Sequence, residues 1–173
     1  MTPPPYALRV DTEVTGLREA DHLLQDLAAG LGLPEDVFGC THLVHEGGRR
    51  RVALSLAARS RAVVDAARAR LAAQGHTVAD GTWDEPGRAV LFPGAAALTG
   101  TLTVAELLER SAIDRVRVLG APEEPGPGAR LVTREFVRPQ WEHGELVLAA
   151  MPAVGDTLVP FEDPDPTPCC ADH

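Results

Sequence analysis

A chain of 173 residues, 45% hydrophobic and 24% charged, has the length and composition of one globular body, and its 4% aromatic content leaves the core to Leu, Val and Ala. A net charge of −9 argues against general affinity for nucleic acid or for an anionic membrane surface. All 16 basic residues are arginine, and without lysine the chain is neither a P-loop NTPase, a pyridoxal Schiff-base enzyme nor a protein kinase.

In chain order, residues 6–14 alternate between apolar and polar, with Tyr6, Leu8 and Val10 on one side, and predict a first strand. Thr15 is the predicted cap of a helix in which Leu17, Ala20, Leu24, Leu27 and Leu31 recur at three- and four-residue steps. That is one buried stripe, ended by Gly30 or Gly32 with Pro34. Residues 40–46 and 50–59 predict a hairpin turned on Gly47-Gly48, which supply the positive φ of a tight turn. Ser60 then caps a second helix with Val63, Val64, Ala67 and Leu71 on one face, closed by Gly75, and a short strand follows over 76–83. Strand, helix, strand, strand, helix, strand is the ferredoxin-like βαββαβ order: two helices on one face of a four-stranded antiparallel sheet.

Further on, Pro86-Gly87 and Pro93-Gly94 frame a short apolar run over 89–92, expected as an edge strand. Thr103 and Glu106 form a capping box for a helix that turns Leu107, Leu108 and Ile113 inward. A strand over 115–119, a solvated Pro/Gly loop over 122–128, a hairpin of 131–138 with 145–151 turned near His143-Gly144, and a last strand over 157–161 complete the pattern. The expected fold is α+β. A ferredoxin-like unit spans 1–97, a helix with antiparallel strands packs on it over 98–162, and a proline-rich tail runs over 163–173. Residues 98–101 hold no proline and little charge, which fits close packing of the halves.

Two of the three cysteines and a histidine fall in the last five residues, Cys169-Cys170-Ala171-Asp172-His173. Thiolate and imidazole suit zinc and copper(I); Cys170 and His173 reach one ion, and Cys169 can add a second sulfur. The third cysteine, Cys40, stands two residues before His42, so both lie on one face of a strand, with His45 on the other. A tail folded back on the body would join Cys40, His42, Cys170 and His173 in one site. The acidic neighbours Asp163, Asp165 and Asp172 work against a reactive thiolate. None of Ser55, Ser60 and Ser111 stands in a Gly-x-Ser-x-Gly setting, which excludes a nucleophile-elbow hydrolase.

Arg49, Arg50, Arg51, Arg59, Arg61, Arg68 and Arg70 form a cluster that, without interleaved aromatics, is expected to be a solvated face balanced by carboxylates. Trp141-Glu142-His143 is expected at a hairpin tip, the Trp over the sheet end and the His exposed.

The opening residues, Met1-Thr2-Pro3-Pro4-Pro5-Tyr6, lack a basic segment followed by an apolar one, and no apolar run reaches about 18 residues. The expected location is the cytoplasm, with no membrane partner and with free or metal-bound thiols. The functional expectation is a non-catalytic accessory or regulatory protein that binds zinc or copper(I) through its Cys/His tail and works with a protein partner or a second copy of itself. The alternatives are a small thiol- or metal-dependent enzyme and an interaction scaffold whose tail is a docking peptide. No paired acid and base accompany the thiols, which favours the binding protein.

Overall fold

The computed structural model describes residues 3–82 and 87–165. Strands β1 (Tyr6–Val10), β2 (Phe38–Glu46), β3 (Arg49–Ala58) and β4 (Val78–Asp80) and helices α1 (Leu17–Leu31) and α2 (Arg61–Ala73) follow one another in the predicted order. In space the strands stand as β4-β1-β3-β2, and each neighbouring pair is antiparallel. Local chemistry explains the boundaries. Gly47 and Gly48, at φ 57° and 76°, turn β2 into β3. Ser60 Oγ accepts the Val63 N–H at 3.4 Å and caps α2. The first helix departs from expectation, because its N-cap is Gly16 rather than Thr15, with no side-chain cap. It ends on Gly32 in the left-handed region, whose N–H bonds Ala29 O at 3.2 Å.

The second half comprises β5 (Arg88–Leu91), β6 (Thr101–Thr103), α3 (Val104–Arg110), β7 (Arg115–Val118), β8 (Arg130–Val132), β9 (Gln140–Glu142), β10 (Glu145–Ala153) and β11 (Thr157–Pro160). The capping box is present: Thr103 Oγ1 accepts the Glu106 N–H, and the Glu106 carboxylate accepts the Thr103 N–H. The eleven strands of the described residues join one sheet, which runs on from β2 through β5, β9, β10, β11 and β8 to β6, with β7 beside β10.

Two expectations are corrected. The 89–92 run is an interior strand, held between β2 and β9, and not an edge. Its apolar residues alternate between the two cores, Ala89 in one and Val90 in the other, as befits a strand covered on both faces. Residues 131–138 do not form one arm of a hairpin. The run breaks after Val132, Arg134 and Glu135 take φ of 54° and 53°, and only 140–142 returns to pair with β10. β8 instead lies parallel to β11 and antiparallel to β6. The turn at His143-Gly144 stands where expected.

The sheet separates two apolar cores. On one face, Leu24, Val52, Leu54 and Leu71 are buried and Leu17, Leu27 and Val63 pack partly buried against them, so both helices cover this side. On the other, Phe38, Cys40, Ala57 and Ala89 join Leu107, Leu131, Leu146 and Leu148 of the second half. Leu98, 2% exposed, sits in this second core. No helix among the described residues is long and apolar enough to cross a membrane.

Candidate functional site

On the helix face, four charged side chains from distant parts of the chain meet in a row. Asp21 sits on the inward stripe of α1, four residues after Leu17 and three before Leu24, and is only 3% exposed. Arg88 opens β5 opposite Thr41 of β2, the register that sends its side chain to the α1 side of the sheet. Both of its Nη atoms donate to the Asp21 carboxylate, Nη2 at 3.0 Å, while Nε bonds both oxygens of Glu162 at 2.7 Å. Arg138, from the irregular segment before β9, donates Nε to Asp21 Oδ2 at 2.9 Å and Nη1 to Val137 O at 3.1 Å. Beneath them lies the Phe136 ring, 4.1 Å from the Arg138 guanidinium carbon and 6.0 Å from that of Arg88.

The row reads Arg138, Asp21, Arg88, Glu162, with charges alternating. Its ends differ. Burial works to lower the Arg88 pKa, but the Asp21 hydrogen bonds and the Glu162 and Asp21 charges overcome it, and the value rises above the ordinary one. At Arg138 burial prevails over the help from Asp21, the positive Arg88 adds to it, and the value falls below the ordinary one. Arg88 is fully counter-charged and Arg138 is not. Among the described residues, Arg138 Nη2 keeps both of its N–H donors without a protein partner.

Two cavities meet at this row. One, about 690 Å³, is walled by Leu17, Asp21, Arg88, Phe136 and Arg138 and by the strap of residues 162–165. The other, about 630 Å³, has Leu33, Val37, Val90, Leu91 and Phe92 in its wall beside Gln25, Glu35, Glu135 and Arg138. Gln25 and Arg138 belong to both walls, which makes one groove along α1. Each volume lies in the range of about 300–1,000 Å³ usual for small-molecule sites.

Of the residues singled out in the sequence, Cys40 and His42 do share a face of β2, and it is the face away from α1. His42 Nε2 and Ser55 Oγ share a hydrogen bond of 2.7 Å. Burial pushes the Cys40 thiol from 9.0 up to about 12, against the hydrogen bonds of Trp141 and Ser55, which pull it down. Main chain closes the cluster: a Cβ on Gly87 would stand 2.6 Å from His42 Cε1 and 3.2 Å from Cys40 Cβ. Cys40 is therefore a buried, protonated thiol beside His42 and Ser55. Among the described residues, no three His, Cys, Asp or Glu side chains converge as metal ligands. Cys169, Cys170 and His173 lie outside the described residues. The strap leading towards them docks on the α1 side, with Glu162 on Arg88 and Asp163 on Arg134 at 3.1 Å, and the sheet stands between it and Cys40.

The thiol gives a pH signature. The unfolded thiol ionises near 9.0 and the folded one only near 12, so the unfolded state binds fewer protons between these values and stability falls as pH rises from 9 towards 12. Cys40→Val should flatten that slope in urea melts taken across this range. Superimposable curves for the two proteins would contradict the assignment.

The remaining groupings are structural. Arg51 pairs with Glu46 and Glu13, Arg68 with Asp80 and Arg61 with Asp65, while Arg70 donates to Gly30 O and Leu31 O at the C-terminus of α1. Trp141 is buried against Phe38, their ring centres 5.4 Å apart, Glu142 holds Arg117 at 2.9 Å, and His143 is exposed in its turn. No protein-family model matches this chain, and neither a curated protein nor a solved structure matches it at a significant level.

Proposed function

We propose that this chain is a non-catalytic binding protein of accessory or regulatory type, and that its ligand occupies the groove along α1. The observation that carries this reading is Arg138, a partly buried and under-compensated cation with open donors at the junction of two cavities. A purely structural ion pair gains nothing from such an opening, since desolvating charges already costs several kcal/mol per ion (about that order) and apolar packing serves stability as well. Our reading takes residues 1–97 as a ferredoxin-like unit, supported by the antiparallel order β4-β1-β3-β2, with the second half extending its sheet. Cytoplasmic location belongs to the same proposal. Soft-metal binding by Cys169, Cys170 and His173 is a separate one, supported by residue type and spacing.

The groove is tested by filling it. Ala29 is exposed on α1 and lines the apolar cavity, so Ala29→Trp should occupy the space without disturbing the core. In ligand-observed NMR with a small-fragment library, wild-type protein should give hits that Ala29→Trp loses while its melting curve is unchanged. A hit set common to both proteins would remove the groove from the function.

A further inference from the structure

Resting on the groove reading, we infer that the ligand is an amphiphilic monocarboxylate, its acid group on Arg138 and its apolar body in the cleft lined by Leu33, Val37, Val90 and Phe92. The donor inventory selects the arginine. Arg88 spends Nε on Glu162, Nη1 on Asp21 and Thr41, and Nη2 on Asp21, whereas Arg138 keeps both donors of Nη2. Only Arg138 also reaches the apolar cavity.

Charge fixes the class of the head group. The four-member row is neutral as a whole, but at its Arg138 end the guanidinium shares Asp21 with Arg88 and keeps the two Nη2 donors open. One negative charge completes the alternation. A dianion would face Asp21, Glu35, Glu135, Glu162, Asp163 and Asp165 against Arg18, Arg88 and Arg138, so a phosphate monoester fits worse than a carboxylate. The lowered Arg138 pKa agrees, since an anion here supplies the counter-charge that Asp21 only half provides. A planar carboxylate also matches a guanidinium edge, and Gln25, one turn beyond Asp21 and in both walls, offers an amide to its second oxygen. The second cavity then sets the rest of the molecule, because Leu33, Val37, Val90, Leu91 and Phe92 offer an alkyl or aryl body apolar contact.

The test is calorimetric titration of the full chain with decanoate, decanol and acetate, each below its aggregation concentration. Decanoate should bind roughly 10- to 100-fold more tightly than decanol, the contribution of one charge-assisted hydrogen-bonded pair, and acetate should not saturate. Arg138→Gln should erase the difference between acid and alcohol, and Ala29→Trp should abolish both. Equal binding of decanoate and decanol by the wild-type protein would overturn the carboxylate assignment and leave the groove standing, and this comparison needs no variant to fold. Fragment hits lost in Ala29→Trp, with neither ten-carbon ligand bound, would overturn the inference alone. No ligand sensitive to Ala29→Trp would overturn both.

Discussion

Asp21→Ala is expected to destabilise the protein by about 3–5 kcal/mol, the range for removing one partner of a buried ion pair. For a chain of this size that is roughly 6–20 °C in Tm, at about 2–4 °C per kcal/mol. One carboxylate serves two guanidiniums, so its removal leaves Arg88 with Glu162 alone and Arg138 with no counter-charge but the distant rim. The companion experiment replaces Asp21, Arg88 and Arg138 together by Leu, Met and Met. Removing all three charges should restore most of the lost stability, because the desolvation penalty goes with them. If Asp21→Ala melts within about 1 kcal/mol of the wild type, a value typical of exposed pairs, the row is more solvated than its burial implies and the case for Arg138 as an under-compensated cation fails with it.

Gly94→Ala carries the second large effect. Gly94 has φ 83°, and a Cβ there would stand 2.0 Å from Arg110 O and 2.6 Å from Ser111 Cα, all main chain. A left-handed conformation costs a non-glycine residue about 1–3 kcal/mol, and forcing the backbone apart adds about 1–3 kcal/mol more. The neighbouring tie is Ala112 N–H to Pro93 O at 2.9 Å, which seats the end of α3 against the turn after β5. Gly94→Ala should therefore lower stability by about 2–6 kcal/mol, read as a shift of the urea midpoint at constant slope. Gly47→Ala is the control, with a positive φ and nothing within 4 Å of the added carbon, so about 1 kcal/mol is expected. Equal losses at both glycines would show that conformation alone, not the close approach at Arg110, governs position 94.

Local signals carried the elements well. Ser60, the Thr103/Glu106 box and Gly47-Gly48 each fix backbone geometry with side chains or torsions a few residues apart, and all three stand as the sequence implied. Long-range pairing was not legible. Nothing local to 89–92 says that β9, some fifty residues on, covers its open side, and nothing in 130–132 says that its partners are β6 and β11. The site escaped for the same reason, since Asp21, Arg88, Arg138 and Glu162 have no shared spacing. One cue was present: Asp21 falls inside the apolar stripe of α1, where a carboxylate must find a partner. The Cys/His tail drew attention because soft ligands are recognised by type alone, whereas a salt-bridged row is recognised only by where its members meet.

The spread of that row along the chain has a consequence for the order of assembly. Asp21 meets a partner 67 residues later in Arg88 and another 117 residues later in Arg138, and Arg88 then waits 74 residues for Glu162. Contacts so remote in sequence form late, after loop closure over most of the chain. The row closes only when the last strand has emerged, which makes it a marker of completed folding rather than an early nucleus.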